Sequence, residues 1–387
     1  MAASWREIEE PRRIAALRRI MDARGLDAIV IVGGANLTYY SGFAGVERSM
    51  ARPMFYICPR QGEPAIVAHT FRQHLVEAHS WVGRFHYFTR LSEAPLPAVS
   101  DALHEMGLSE GRLGFELGYE SQIHMPFADF ENLRVHLKAF EIVDVARELW
   151  RVRMERSPGE LDRQRAAASI VCKLFADGFA HIRKGMRQAD LQRFLAERAL
   201  AYGSGPSFAI ISAGAGNYEY CGAWAPDYSF KDGDMIWMDI GASSGGYSML
   251  FSRAGVIGTP TAEQKTTARA VHTATMAGIS AIRPGATPAH IARVCRRELD
   301  AIDAPVITDI AELSTRHGHG IGIEFIEPPH VAEYDDTELV PGMVLAVEPG
   351  ISTAFGRFHF REVAVVTPAG FEMIEGPPAE LAEIGTS

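Results

Sequence analysis

Ile182-Arg-Lys-Gly-Met-Arg-Gln-Ala-Asp-Leu191 and Ile282-Arg-Pro-Gly-Ala-Thr-Pro-Ala-His-Ile291 align without a gap, at an offset of 100 residues. The same offset pairs Val171 with Val271, Gly178 with Gly278 and Arg193 with Arg293. The matches run through a helical pattern, a glycine turn and a second helical pattern. Self-similarity held in register over such a span marks a duplicated supersecondary unit. It predicts a pseudo-twofold domain of two halves, each a helix pair followed by strands. Met235–Ile240, Gly246–Phe251 and Gly255–Ile257 read as strands of the first half, Val344–Val347 and Val363–Thr367 as strands of the second, all joining one shared sheet. A pocket is expected between the halves, so polar residues on those strands are the candidates for chemistry.

Working outward, the duplicated region opens at Ser157-Pro158-Gly159-Glu160. Ser157 can cap a first helical turn, Pro158 suits its first position and Glu160 can close a capping box. The helix behind it places Val171, Leu174, Phe175, Gly178 and Ile182 on one face. The Arg-rich stretch Arg151–Arg165 interleaves with Glu and Asp and reads as a solvated helix face. Upstream, Arg13–Arg24 has helical periodicity and ends at Gly25, and Leu26–Val32, Met54–Cys58, Ala65–Ala68 and Leu113–Glu116 read as strands. Strands separated by helices predict an α/β layer domain. The expected organisation is an α/β domain over 1–150 followed by a duplicated α+β domain over 151–387.

Composition narrows the function. The 387 residues carry 38 Lys+Arg against 48 Asp+Glu, a formal net charge of −10, which disfavours nucleic acid as a partner. Apolar runs such as Ala28–Val32 are far shorter than a membrane span, and the N-terminal residues lack a signal peptide's apolar core. Cys58, Cys172, Cys221 and Cys295 form no Cys-x-x-Cys pair, as expected of reduced thiols in a cytoplasmic protein. Gly33-Gly34 and Gly214–Gly216 lack the strand–glycine–helix fingerprint of a phosphate loop.

Four polar positions stand at the ends of apolar strands or in a dense motif. Asp239 lies in Met235-Ile-Trp-Met-Asp-Ile-Gly241, and His319 in His317-Gly-His-Gly-Ile-Gly-Ile-Glu-Phe-Ile-Glu-Pro-Pro-His330. Glu348 lies in Met343-Val-Leu-Ala-Val-Glu-Pro-Gly350, and Glu362 in Phe360-Arg-Glu-Val-Ala-Val-Val366. A carboxylate ending a buried strand is costly unless it is paired, so each needs a partner.

These motifs, in this order, resemble the pita-bread superfamily of creatinase, aminopeptidase P, prolidase and methionine aminopeptidase. Arg24-Gly-Leu-Asp-Ala28, Asn36-Leu-Thr-Tyr-Tyr-Ser-Gly-Phe43 and Arg52-Pro53 are similar to its two-domain creatinase/prolidase branch. The resemblance implies a pita-bread domain over 151–387, a homodimer, and in the peptidases two metal ions held by Asp, Asp, His, Glu and Glu. Asp239, His319 and Glu348 match the first, third and fourth ligands. The second Asp should lie eleven residues after the first, where this chain has Leu250. The fifth ligand should lie six residues before the strand-ending Thr. Glu362 lies five before Thr367, so either a residue is deleted after it or Arg361 holds the position. Two further histidines of the family fall at Trp224 and Ile326.

A bridging carboxylate is therefore missing, and no resident metal is the first expectation. A single divalent ion on His319, Glu348 and Glu362, with Asp239 beside them, is the alternative. Without a metal the crowded carboxylates need another cation, and a cationic substrate, of the kind creatinase binds, is the expected neutraliser. The expected function is a hydrolase cleaving a C–N bond (amide, amidine or guanidine type) in a small nitrogenous compound. His319 would shuttle protons, Glu348 and Glu362 would position or activate water or attack directly, and Asp239 would hold a cationic nitrogen. Arg52 would bind a substrate carboxylate, Trp224 would stack on a planar cation, and His330 would add a polar contact. The alternatives are a metal-dependent Xaa-Pro dipeptidase or aminopeptidase with a reduced site, and a non-catalytic binding member.

Overall fold

Ser4 starts the first helix, Trp5–Arg24, through a capping box with Glu7, and Gly25 ends it in the left-handed region at φ 63°. The computed structural model describes residues 4–44, 52–219 and 227–385. The chain divides into two compact units, Met1–Arg153 and Met154–Ser387.

In the first unit a six-stranded sheet runs in the order Arg84–Phe88, Ala65–His69, Phe55–Pro59, Ala28–Val32, Gly111–Phe115, Phe140–Asp144. Of the four interior strands, Ala28–Val32, Phe55–Pro59 and Ala65–His69 are buried throughout, which is why they read as continuous apolar runs. The edge strands Arg84–Phe88 and Phe140–Asp144 were not expected from sequence. Both are part-exposed, so neither carries a continuous apolar run.

The second unit carries the duplication. Helices Pro158–His181 and Gln188–Ala201 form one pair, Ala262–Ser280 and Pro288–Asp300 the other. The turns between them repeat at the level of the backbone: Gly185 has φ 80° and Gly285 φ 78°, a conformation that favours glycine at both. The crossings repeat too. A Cβ on Gly178 would lie 3.1 Å from Leu195 Cδ2, and one on Gly278 would lie 2.4 Å from Cys295 Sγ. Ser157 and Glu160 form the expected capping box, and Val171, Leu174, Phe175, Gly178 and Ile182 are buried.

The strands differ from expectation in one respect. They do not hydrogen-bond into a single shared sheet. Ala382–Ile384, Tyr247–Ile257, Met235–Ser244 and Phe208–Ala213 make a four-stranded sheet, while Glu327–His330, Gly318–Gly320, Val344–Val347, Glu362–Thr367 and Gly370–Ile374 make a five-stranded one. Thr308–Asp309, Gly350–Thr353 and Gly356–His359 form a third, three-stranded sheet. The two larger sheets share one hydrophobic core, in which Met238, Ile240 and Leu250 belong with Val344, Ala346, Val363 and Val365. The two segments expected at Gly246–Phe251 and Gly255–Ile257 are one strand, Tyr247–Ile257. Arg253 looks like a break in sequence but is buried, with its guanidinium bonded throughout.

The expected solvated face at Arg151–Arg165 is also corrected. Arg153 is buried, stacks on Trp150 and donates to Asn36 Oδ1 at 3.1 Å. Arg156 is buried in an ion pair with Glu327, whose other oxygen accepts from Glu324 N at 3.0 Å. Among the described residues, no helix is long and apolar enough to cross a membrane.

Candidate active site: an ion cluster built around Arg361

Strand register brings the site together. Val347 pairs with Glu362 on one side and with Gly318 on the other. One step further along these antiparallel ladders, Glu348 lies between His317 and Arg361, and Glu348 N donates to His317 O at 2.8 Å. Side chains alternate along a strand, so Arg361 and Glu362 leave it on opposite faces and only one can join Glu348. Arg361 is the one that does.

Arg361 Nε donates to Glu348 Oε2 at 2.7 Å, and its Nη2 lies against the same oxygen. Its Nη1 donates to Asp239 Oδ1, bridging the two halves of the duplicated unit. His359, two residues before Arg361 and on the same side, places Nε2 3.2 Å from Glu348 Oε2. His319 Nε2 lies 3.3 Å from Glu348 Oε1. All five side chains are buried, His319 at 0% exposure.

The protons follow from this geometry. His319 Nδ1 lies 2.8 Å from Gly320 O, and a carbonyl only accepts, so Nδ1 carries the hydrogen. Nε2 then points its remaining valence toward a carboxylate without an aligned hydrogen bond. Burial alone would raise Glu348. The Arg361 charge, with His319 and His359 close by, instead holds it well below the usual carboxylate range. Burial also dominates at His359, which is lowered and therefore neutral at neutral pH, although Glu348 opposes this. For Arg361, burial works against the charge, and Asp239 and Glu348 together outweigh it and raise the group.

Glu362 does not belong to this cluster, which corrects its grouping with His319, Glu348 and Asp239. On the opposite face its Oε1 accepts from Arg253 Nη2 at 2.9 Å and lies 3.2 Å from His272 Nε2. Leu250, in contrast, is where the spacing put it. Asp239 pairs with Ser252 and Gly241 with Leu250, so Leu250 stands two residues along the same face, buried and apolar. His330 lies directly across from His319 in register; its backbone N donates to Asp335 Oδ2 at 2.8 Å. Arg52 belongs to the first unit and is half-buried, and its Nε has no hydrogen-bond partner among the described residues. Trp224 lies outside the described residues.

Sequence reasoning raised Arg361 only as one of two registrations and passed over His359, His317, Arg253 and His272. The signal for Arg361 and His359 was present: His359-Phe-Arg361 is an i, i+2 pair leading into a strand, so the two share a face that excludes Glu362.

A dinuclear centre would need carboxylates where the chain has Leu250 and Arg361. One is an apolar side chain, and the other is a fixed cation already bonded to two of the remaining ligands. The donor set therefore does not fit that centre. Among the described residues no group of three or more His, Cys, Asp or Glu side chains is arranged to hold a metal ion.

An α/β unit followed by a duplicated helix-pair-and-strand unit, with Asp239, His319 and Glu348 converging from both halves, defines a pita-bread hydrolase fold. Residues 162–368 match metallopeptidase family M24 and residues 13–155 the creatinase/prolidase N-terminal domain, and the chain belongs to that family. The uncharacterized peptidase YqhT of Bacillus subtilis is 26% identical over 95% of this chain and 99% of its own length. The Xaa-Pro dipeptidase of Pyrococcus furiosus is 25% identical over the same shares of the two chains. Among solved structures, an Xaa-Pro dipeptidase from Bacillus anthracis superposes with a TM-score of 0.82 at 22% identity, over 96% of this chain and 99% of its own.

Proposed function

We propose that the protein is a metal-independent hydrolase of the M24 family that cleaves a C–N bond in a small nitrogenous compound. The carrying observation is the placement of Arg361 between Asp239 and Glu348, where its guanidinium supplies the positive charge that metal ions supply in the family's peptidases. Divalent ions in those peptidases polarise the scissile carbonyl and activate water; here that chemistry has to come from side chains. His319 is the proton carrier: Gly320 fixes the hydrogen on Nδ1, so Nε2, 3.3 Å from Glu348 Oε1, is the atom that takes a proton and returns it to the leaving nitrogen. Glu348, kept ionised by Arg361, stabilises the imidazolium that forms, and Arg361 holds Glu348 in place. Asp239 orients Arg361 from the other half. The expectation that a cationic substrate neutralises the carboxylates is revised accordingly, because the cation is built in.

A second reading, a non-catalytic binding member, is favoured by one observation: Asp239 and Glu348 already spend hydrogen-bonding capacity on Arg361, and His319 is fully buried. A metal-dependent Xaa-Pro peptidase finds less support, since Arg361 would first have to leave the cluster. Turnover of a panel of small amides, amidines, guanidines and Xaa-Pro dipeptides, with and without chelator, separates the three. Chelator-insensitive turnover that is lost in His319→Asn supports the proposal. Chelator-sensitive dipeptide cleavage sinks it, and an inert panel leaves the binding reading standing.

A further inference from the structure

The Arg253–Glu362–His272 group lies on the face of residues 361–362 that the family site does not use, and it borders a cavity of its own. Lys265, Arg269 and His272 follow at i, i+4 and i+7 on helix Ala262–Ser280, so they share one helix face. They form one wall of a cavity of about 560 Å³, whose other wall is Glu380, Leu381 and Glu383. That second wall is fixed in place: Arg253 Nε donates to Pro377 O at 2.8 Å and Pro378 O at 3.0 Å. The remaining donors of Arg253 go to Ser252 O, Arg361 O and Glu362. Buried Arg253 thus ties the C-terminal wall of the cavity to the strand that carries Arg361.

The groups facing the cavity are less committed. The Arg269 guanidinium and the Glu380 carboxylate make no hydrogen bond or ion pair among the described residues. His272 uses only Nε2, on Glu362, and packs edge-on against Phe360. Lys265 meets Glu383 at 3.4 Å, with both side chains well exposed. A free guanidinium and an imidazole stand on one wall, and a free carboxylate on the other. Such a pair of walls suits a small ligand with a charge of each sign. We propose that this cavity is a second binding site, for a zwitterion of the α-amino-acid type. Arg269 takes its carboxylate, and Glu380 takes its ammonium group, with the His272 ring beside them. His272 also holds Glu362, and Arg253 holds both Glu362 and the Arg361 carbonyl, so the cavity adjoins the segment that bears Arg361.

The test uses the full chain with ¹³C-labelled histidine, read by NMR and by calorimetry, so it does not depend on any catalytic activity. The probes are glycine, L-alanine and L-proline, with propionate and propylamine as matched ligands that each lack one charge. The amino acids are expected to saturate in the millimolar range and to move the His272 signal, with propionate and propylamine binding at least about tenfold more weakly. Arg269→Gln, an exposed substitution with no partner to lose, should weaken amino-acid binding about tenfold or more. Glu380→Gln should weaken the amino acids and leave propionate unchanged. The proposal is overturned if no amino acid shifts His272 in that range, if Arg269→Gln binds as the parent chain does, or if propionate alone binds as tightly as glycine.

Discussion

Replacing Arg361 by Met removes the guanidinium and leaves most of the side chain's apolar volume. What remains is Asp239 and Glu348, at 6% and 9% exposure, facing each other with no fixed cation. Removing one member of a buried ion pair costs about 3–5 kcal/mol, because the stranded charge stays buried. Here two carboxylates lose the same partner, while Glu348 keeps His319 and His359, so the upper part of that range is expected at pH 7. The loss should shrink as pH falls, since in the variant a carboxylate can take up a proton in place of the missing cation. Urea unfolding of the parent and Arg361→Met chains at pH 7 and pH 5 measures both effects. Removing the charges as well, in Asp239→Asn/Glu348→Gln/Arg361→Met, should recover most of the loss, because an ion cluster replaced by neutral groups of similar shape is close to neutral in stability. A loss below about 1 kcal/mol in Arg361→Met, the size of a surface ion pair, would refute the reasoning.

His319→Asn should lower turnover of any identified substrate by a factor on the order of 10² to 10⁴, as steady-state kinetics on the folded variant will show. Leu250→Asp combined with Arg361→Glu restores carboxylates at both altered ligand positions. That double variant should gain a Mn²⁺-dependent rise in Tm that the parent chain lacks, and an unchanged Tm would count against the assignment of those positions. His317 is held down to about 4, chiefly by burial and then by Arg296. The unfolded chain protonates this group near pH 6.5, so the folded state loses stability as pH falls from about 6.5 to about 4. The slope is about 1.4 kcal/mol per pH unit from this group, and His317→Gln should flatten it in urea melts across that range. Glu348 has the opposite charge but is lowered too: its contribution is complete above the ordinary carboxylate range and disappears as pH falls through its depressed folded value.

Much of this fold is legible in the sequence. Gly185 and Gly285 share one backbone conformation, and Gly178 and Gly278 sit at matching helix crossings, which is how the offset of 100 residues entered the sequence. The buried strands of the first unit were legible for a simple reason, their unbroken apolar runs. Arg84–Phe88 and Phe140–Asp144 were not, because edge strands mix exposed and packed residues. Arg253 hid the continuity of Tyr247–Ile257, since a charged residue inside a strand looks like a break until its partners are known. At the site, Asp239, His319 and Glu348 stood out as polar residues in strand-end or dense motifs, and the family resemblance put Leu250 at the second ligand position. The choice between Arg361 and Glu362 could not, because it depends on which face of the strand meets Glu348. Side-chain alternation limits that choice to one residue of the pair, and the ladder register selects Arg361.

If Arg361 stands in for metal, the direct measurement is metal content. The full chain should be loaded with Mn²⁺, Co²⁺ or Zn²⁺, dialysed and analysed for bound metal, alongside Leu250→Asp/Arg361→Glu treated in the same way. That role for Arg361 predicts metal well below one ion per parent chain and a clear gain in the double variant. Retention of about one or two ions per parent chain, released by chelator together with a fall in Tm, would contradict it.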